Sequence, residues 1–230
     1  MSPVTTDPRE LAAAAVAFAK PRLRGWLHAV TAPLALAAGV VLVVLAPTAA
    51  AAAAAAAFGF TAVALFTTSA IYHRGNWSER AERRLKRLDH ANIFLLIAGS
   101  YTPFAVLALH DETRLAVLAA VWCTAIGGAI SRVVWVNAPR WSYVPLYLGL
   151  GWAAGFVVPQ LIHGVGAAAF TLVAIGGACY TAGALVYGFR RPNPSPRWFG
   201  FHELFHALTV AGFVCQYVAA SLVVYHASTA

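Results

Sequence analysis

Seven apolar runs succeed one another along the chain, at about 26–46, 49–72, 88–109, 114–136, 142–161, 165–188 and 200–226, with short polar joints between them. A helix of ~20 apolar residues is long enough to cross the hydrocarbon core of a bilayer. The pattern predicts an all-α integral membrane protein, a seven-helix transmembrane bundle over 26–226. Residues 1–25 form an N-terminal segment, and 227–230 a C-terminal tail. Within the first segment, 11-LAAAAVAFA-19 is too short to span and is expected to lie at the interface as a short helix. The tract 49-AAAAAAAAA-57 reads as the start of the second helix, because alanine is the best helix former. Gly127-Gly128 and Gly176-Gly177 are expected where helices approach closely.

Composition strengthens this picture. Hydrophobic residues make up 60% of the chain and charged residues 10%, against roughly 25% charged in soluble domains. The charges then orient the bundle. Arg9, Lys20, Arg22 and Arg24 precede the first run; Arg74, Arg80, Arg83, Arg84, Lys86 and Arg87 follow the second. Arg132 and Arg140 lie around the fourth joint, and Arg190, Arg191 and Arg197 before the seventh run. All fall on one face of a seven-span serpentine, and Arg114 alone on the other. The positive-inside rule puts that face, with the N-terminus, in the cytoplasm and the C-terminus outside, in the cell's inner (plasma) membrane. Because the basic residues sit in short joints, the net charge of +8 speaks for membrane lipids as partners and against nucleic acid. The joint 74–88 carries helical i,i+4 pairs, Glu79–Arg83 and Glu82–Lys86. Cys123, Cys179 and Cys215 lie in three different runs, which suggests buried core thiols rather than disulfides or a cysteine zinc site.

Ionisable groups in spans are costly and usually face the bundle interior. The second run ends in 69-SAIYH-73, the third opens with 88-LDH-90, and the seventh opens with 202-HELFH-206. The serpentine brings Ser69, His73, Asp89, His202 and His206 to one cytoplasmic level. His202 and His206 are four apart, so both imidazoles can converge on one ion. His73 completes three nitrogen ligands, with a water in the fourth position, the ligand set of an open zinc site. Asp89 can hydrogen-bond that water, and Ser69 can orient Asp89 or the water. Tyr72 and His90 adjoin these residues and are weaker candidates.

The stretch 202-HELFH-206 also matches the H-E-x-x-H of zinc proteases, in which the central glutamate is the general base. Glu203 lies about 100° around the helix from His202, so that reading stays open. It lacks a later acidic ligand, since no acid follows Glu203 in the chain. The isolated histidines His28, His90, His110, His163 and His226 read as ordinary interfacial or hydrogen-bonding residues. Trp26, Trp77, Trp135, Trp141, Trp152 and Trp198 read as an interfacial belt.

Three stretches, 69-SAIYH-73, 88-LDHANIFLLIAGSYTPF-104 and 202-HELFH-206, resemble the motifs of the hemolysin III / PAQR family, which includes the adiponectin receptors. The entry 20-KPRLRGWLH-28 resembles its bacterial branch, and the likeness covers the chain from about Lys20 to Tyr225. The resemblance implies seven helices and a zinc ion near the cytoplasmic side, held by His73, His202 and His206. It implies Asp89 in contact with the ion through water, and Ser69 beside it. It also groups the chain with alkaline ceramidases as membrane hydrolases, and with haemolysis and lipid or energetic homeostasis of membranes. One departure is 215-CQY-217, where many bacterial members carry a histidine.

These observations lead to an expected function: zinc-dependent hydrolysis of a lipid amide or ester. Asp89 would be the base, Ser69 its partner, and a cavity among spans 2, 3, 5, 6 and 7 would take an acyl chain. A membrane-state sensor with a structural zinc would use the same residues. A pore-forming cytolysin would need an amphipathic segment held in reserve, and none stands out.

Overall fold

The computed structural model describes residues 21–135, 137–153, 155 and 158–227; the segment 1–20, with its expected interfacial helix at 11–19, and the tail 228–230 lie outside the described residues. The helices are α1 (Trp26–Val44), α2 (Ala49–Arg74), α3 (Glu79–Ala108), α4 (Asp111–Val134), α5 (Arg140–Trp152), α6 (Val158–Phe189) and α7 (Phe201–Tyr225). Local chemistry sets several boundaries. Thr48 caps α2 by accepting the Ala51 N–H at 3.1 Å, so the alanine tract does begin a helix. Ser78 caps α3, whose first turn holds Glu79 and Glu82 against the positive end of the helix dipole. The basic joint and the third apolar run are therefore one continuous helix. The Glu79–Arg83 pair forms at 3.3 Å on its exposed face.

Successive helices pack as neighbours, and α7 returns to lie against α1, α2 and α3. The central element is α3, which touches α2, α4, α5, α6 and α7. Two-thirds (67%) of its most apolar window is buried, against 17% for α4. Outward faces are apolar: Val44, Phe60, Leu115, Val134 and Phe189 are each at least 70% exposed, which suits contact with lipid tails. Among the described residues, six helices are long and apolar enough to cross a membrane. The seventh, α5, has only 13 residues, about 20 Å of helix. The expected span at 142–161 is thus split: its first part is α5 and its last residues open α6. Gly149, Gly151 and Gly155 weaken the helix, and a proline at 159 suits a helix start better than a continuation. A second break follows at Gly166, where φ is +76° inside α6.

Close approaches are more selective than glycine pairs suggest. Gly128 meets Phe94 and Gly176 meets Gln216, while Gly127 and Gly177 touch nothing nearby. A glycine-to-glycine approach joins Gly39 of α1 to Gly59 of α2, where a Cβ on either glycine would come within about 3.3 Å of the other's Cα. The cysteines are free, but they are not core residues: Cys123 is exposed, and Cys179 and Cys215 are half-buried. In a bilayer, a small thiol facing lipid meets no polar demand, so burial was not required.

Candidate metal centre

The cluster is assembled from the last turn of α2, the third turn of α3 and the first turns of α7. His73, His202 and His206 each present one ring nitrogen, and these three atoms all lie within 4.8 Å of one another. The Nε2 atoms of His73 and His202 are 3.1 Å apart. Ligand atoms on a tetrahedral zinc, each ~2.05 Å from the ion, stand ~3.3 Å apart, so this spacing suits two nitrogens turned to one centre. The donor set, three neutral nitrogens in a mostly buried site, fits zinc and leaves one position open.

Asp89 and Ser69 complete the same level. The Asp89 carboxylate lies 3.8 Å from His73 Nε2. Ser69, 2% exposed, is its hydrogen-bonding neighbour. All five residues that the sequence brings to one level therefore meet. Tyr72 sits against the ring of His73.

Glu203 stands apart from this cluster. Its carboxylate accepts the Gly200 N–H at 2.8 Å and pairs with Arg24, which closes the N-terminal end of α7. A carboxylate consumed in this way is not a general base, and the H-E-x-x-H spacing here serves helix capping. The partner Arg24 belongs to a strap, residues 21–25, that crosses the end of the bundle where the cluster lies. Arg22 and Leu23 donate backbone N–H groups to the carbonyls of Arg197 and Trp198 at 3.0 and 3.2 Å. The strap ends at Gly25, with φ +78°, where an added Cβ would stand 2.8 Å from His73 Cβ. This close approach explains why a glycine is needed there.

Two histidines take places that the sequence did not indicate. His28 is 2% exposed and stacks face-to-face on His206, with ring centroids 3.8 Å apart and planes within 10°. Neither of its ring nitrogens has a hydrogen-bond partner among the described residues. His90 is also buried, beside Arg132, Tyr147 and Tyr187. The signal available in advance was weak: both lie near span ends, where helical position alone does not separate a snorkelling ring from a buried one. His226, by contrast, is exposed and only bonds back to Leu222.

An apolar cavity of ≈ 220 Å³ adjoins the cluster. Ser69, Asp89, His202 and His206 line one end, and Leu109, Val117 and Gln216 line regions farther along. Asp89 and Ala105, which both line it, are sixteen residues apart on α3, about 24 Å along its axis, so the cavity follows the helices through much of a membrane thickness. Gly151, Trp152 and Gly155, at the broken end of α5, line it while remaining exposed on the outer face.

Comparison with known proteins agrees with this architecture. Residues 16–217 match the haemolysin-III related family. The chain belongs to that family. It is 30% identical over 163 residues to "Hemolysin-3" of Bacillus cereus, covering 70% of this chain and 74% of that protein. It is 26% identical over 160 residues to "Hemolysin-3 homolog" of Bacillus subtilis (strain 168), covering 70% and 72%. A plant relative, "Heptahelical transmembrane protein ADIPOR2" of Oryza sativa subsp. japonica, is 30% identical over 159 residues, with 62% and 69% covered. This haemolysin-III related chain is therefore a multi-pass membrane protein with a three-histidine cluster able to hold a metal ion.

Proposed function

We propose that the protein is a zinc-dependent hydrolase of a lipid amide or ester, acting from the cytoplasmic leaflet of the inner membrane. What carries this reading is the position of the donor cluster at one end of a long apolar cavity that reaches the outer face beside Trp152. A structural metal needs ligands but no such cavity. An acyl chain lying in the cavity would bring its carbonyl to Asp89 and the three imidazoles. His73, His202 and His206 would hold the zinc, which when bound polarises a carbonyl and makes water acidic near neutral pH.

The chain's own groups do the rest. Asp89 accepts the proton of the attacking water and returns it to the departing amine or alkoxide. Ser69 hydrogen-bonds Asp89 and keeps its carboxylate turned toward the cluster. The apolar wall excludes bulk water and aligns the carbonyl. Localisation follows from the one-sided arginines, and membrane lipids are the partners. Asp89→Ala tests the assignment: bound zinc should stay at the wild-type level while lipid hydrolysis falls ~10²–10⁴-fold. Turnover at the wild-type rate would remove Asp89 as the base. A wild-type protein that binds zinc, loses thermal stability on chelation and hydrolyses no lipid would leave the metal as a helix staple.

A further inference from the structure

The wall of the cavity beside the cluster carries a row of polar groups that the reaction above leaves unused. Arg132, at the end of α4, is 2% exposed. Its Nη2 lies 3.4 Å from Nδ1 of His90. His90 Nε2 lies 3.5 Å from the Tyr187 hydroxyl, which lies 3.3 Å from the Tyr143 hydroxyl. His90, Tyr143 and Tyr187 all line the cavity. Arg132 also sits over the Tyr143 ring, 4.1 Å from its centroid, so its guanidinium is held in place.

The direction of this row follows from donor and acceptor chemistry. A guanidinium only donates, so the nitrogen it meets must be an acceptor. His90 Nδ1 therefore carries no proton, and a neutral ring must keep its proton on Nε2. That N–H donates to Tyr187. Tyr187 has then used its oxygen as an acceptor, and its own proton is left for Tyr143 or for an occupant of the cavity. Every link points away from Arg132 and toward the cavity.

We propose that Arg132 is a positioning residue that fixes His90 as the Nε2–H tautomer, so that the row His90–Tyr187–Tyr143 ends in a hydroxyl proton offered to the cavity, which selects a hydrogen-bond acceptor in the ligand. The selectivity half of this proposal rests on the cavity being a lipid site, as proposed above; the tautomer half does not. A ligand ester, amide carbonyl or carboxylate satisfies such a wall. An ammonium presents only donors and leaves that hydroxyl proton without an acceptor.

The tautomer is read directly by long-range ¹H–¹⁵N spectra of full-length protein labelled with ¹⁵N-histidine in nanodiscs, with His90 assigned through His90→Gln. The expected wild-type pattern is Nε2–H. Arg132→Lys, which also only donates, should keep it; Arg132→Met should let Nδ1–H appear. A wild-type Nδ1–H pattern, or no change in Arg132→Met, would overturn the proposal. If Arg132→Met does not fold, the wild type and Arg132→Lys decide alone. Selectivity is read by quenching of Trp152 with chain-brominated methyl dodecanoate and dodecylamine, against a Trp152→Phe control. The ester should bind at least 10-fold more tightly than the amine, and Arg132→Met should narrow that ratio. Equal binding of ester and amine would sink the acceptor selectivity. Neither measurement uses turnover, so loss of the hydrolase reading and loss of this one are told apart.

Discussion

Along the α1–α2–α7 side, helices of 19, 26 and 25 residues are joined by a buried ion pair, backbone hydrogen bonds from the strap and stacked imidazoles. Along the α4–α5–α6 side, one helix has 13 residues, the next is broken at Gly166, and a Cβ added at Gly149, Gly151 or Gly155 would meet nothing within 4 Å. Most of the metal centre belongs to the first side, with Asp89 and the cavity turned toward the second. The contrast teaches that the two demands on this site are met by separate parts. Holding an ion requires imidazoles fixed to a few tenths of an ångström, which long, tethered helices provide. Admitting a lipid, as the proposed function asks, would require a wall that can yield, and a glycine-rich, interrupted pair of helices would provide one.

The sharpest way to break this comparison is to remove a ligand from the tethered side. His73→Ala leaves His202 and His206 on α7 and cuts the only imidazole from α2. Bound zinc, measured by elemental analysis of purified protein, should fall from about one per chain to near zero, with a lower melting temperature. Metal content equal to wild type would mean that the three rings do not share an ion, and the division of labour would lose its basis.

Glu203→Gln comes next. Among the described residues, only Arg24 and the Gly200 N–H use this carboxylate, and Arg24 keeps 19% of its side chain exposed. The loss should be ~1–3 kcal/mol, below the full penalty of stranding a wholly buried charge. Thermal unfolding should register it while zinc content and Asp89-dependent turnover persist. Complete loss of turnover with zinc retained would return Glu203 to the role of general base.

These cases also show what the sequence could and could not carry. Ser69, His73, Asp89, His202 and His206 were legible because an ionisable group in an apolar run has few innocent explanations, and because charge asymmetry fixed which ends meet. The seven runs were legible for the same reason: lipid demands long, closed helices. Glu203 was ambiguous, since a helix-capping acid and a catalytic one share the same spacing. His28 was illegible, and His90 stood only as a weaker candidate, because burial at a span end depends on how neighbouring helices tilt. The split of the fifth run turned on where glycines outweigh hydrophobicity, which a run of apolar letters does not report.

A smaller effect is expected at the strap. Gly25→Ala forces a side chain into a left-handed backbone at a cost of ~1–2 kcal/mol, and its Cβ would meet that of His73 at 2.8 Å. Zinc affinity should therefore fall more than it does in a strap variant of equal stability, such as Arg24→Met. Equal affinities in the two variants would show the strap to be a tether only, with no hold on the ligand geometry.

The last comparison, in which His28→Phe should leave the metal site unchanged, separates shape from chemistry at His28. Its ring stacks on His206 and meets Phe66 edge-on at 5.0 Å, while its nitrogens bond to nothing described. If stacking is its contribution, His28→Phe should keep wild-type zinc content and the visible spectrum of the cobalt-substituted protein, whereas His28→Ala opens a cavity beside His206 and should cost ~2–4 kcal/mol. A changed cobalt spectrum in His28→Phe would mean that a His28 nitrogen reaches the ion or the water beside it. Parallel rings argue against the first: an ion in the plane of His206 lies outside the plane of a ring stacked 3.8 Å above it. The tethered side of the molecule would then use His28 as it uses Gly25, to fix where a ligand ring points rather than to bind.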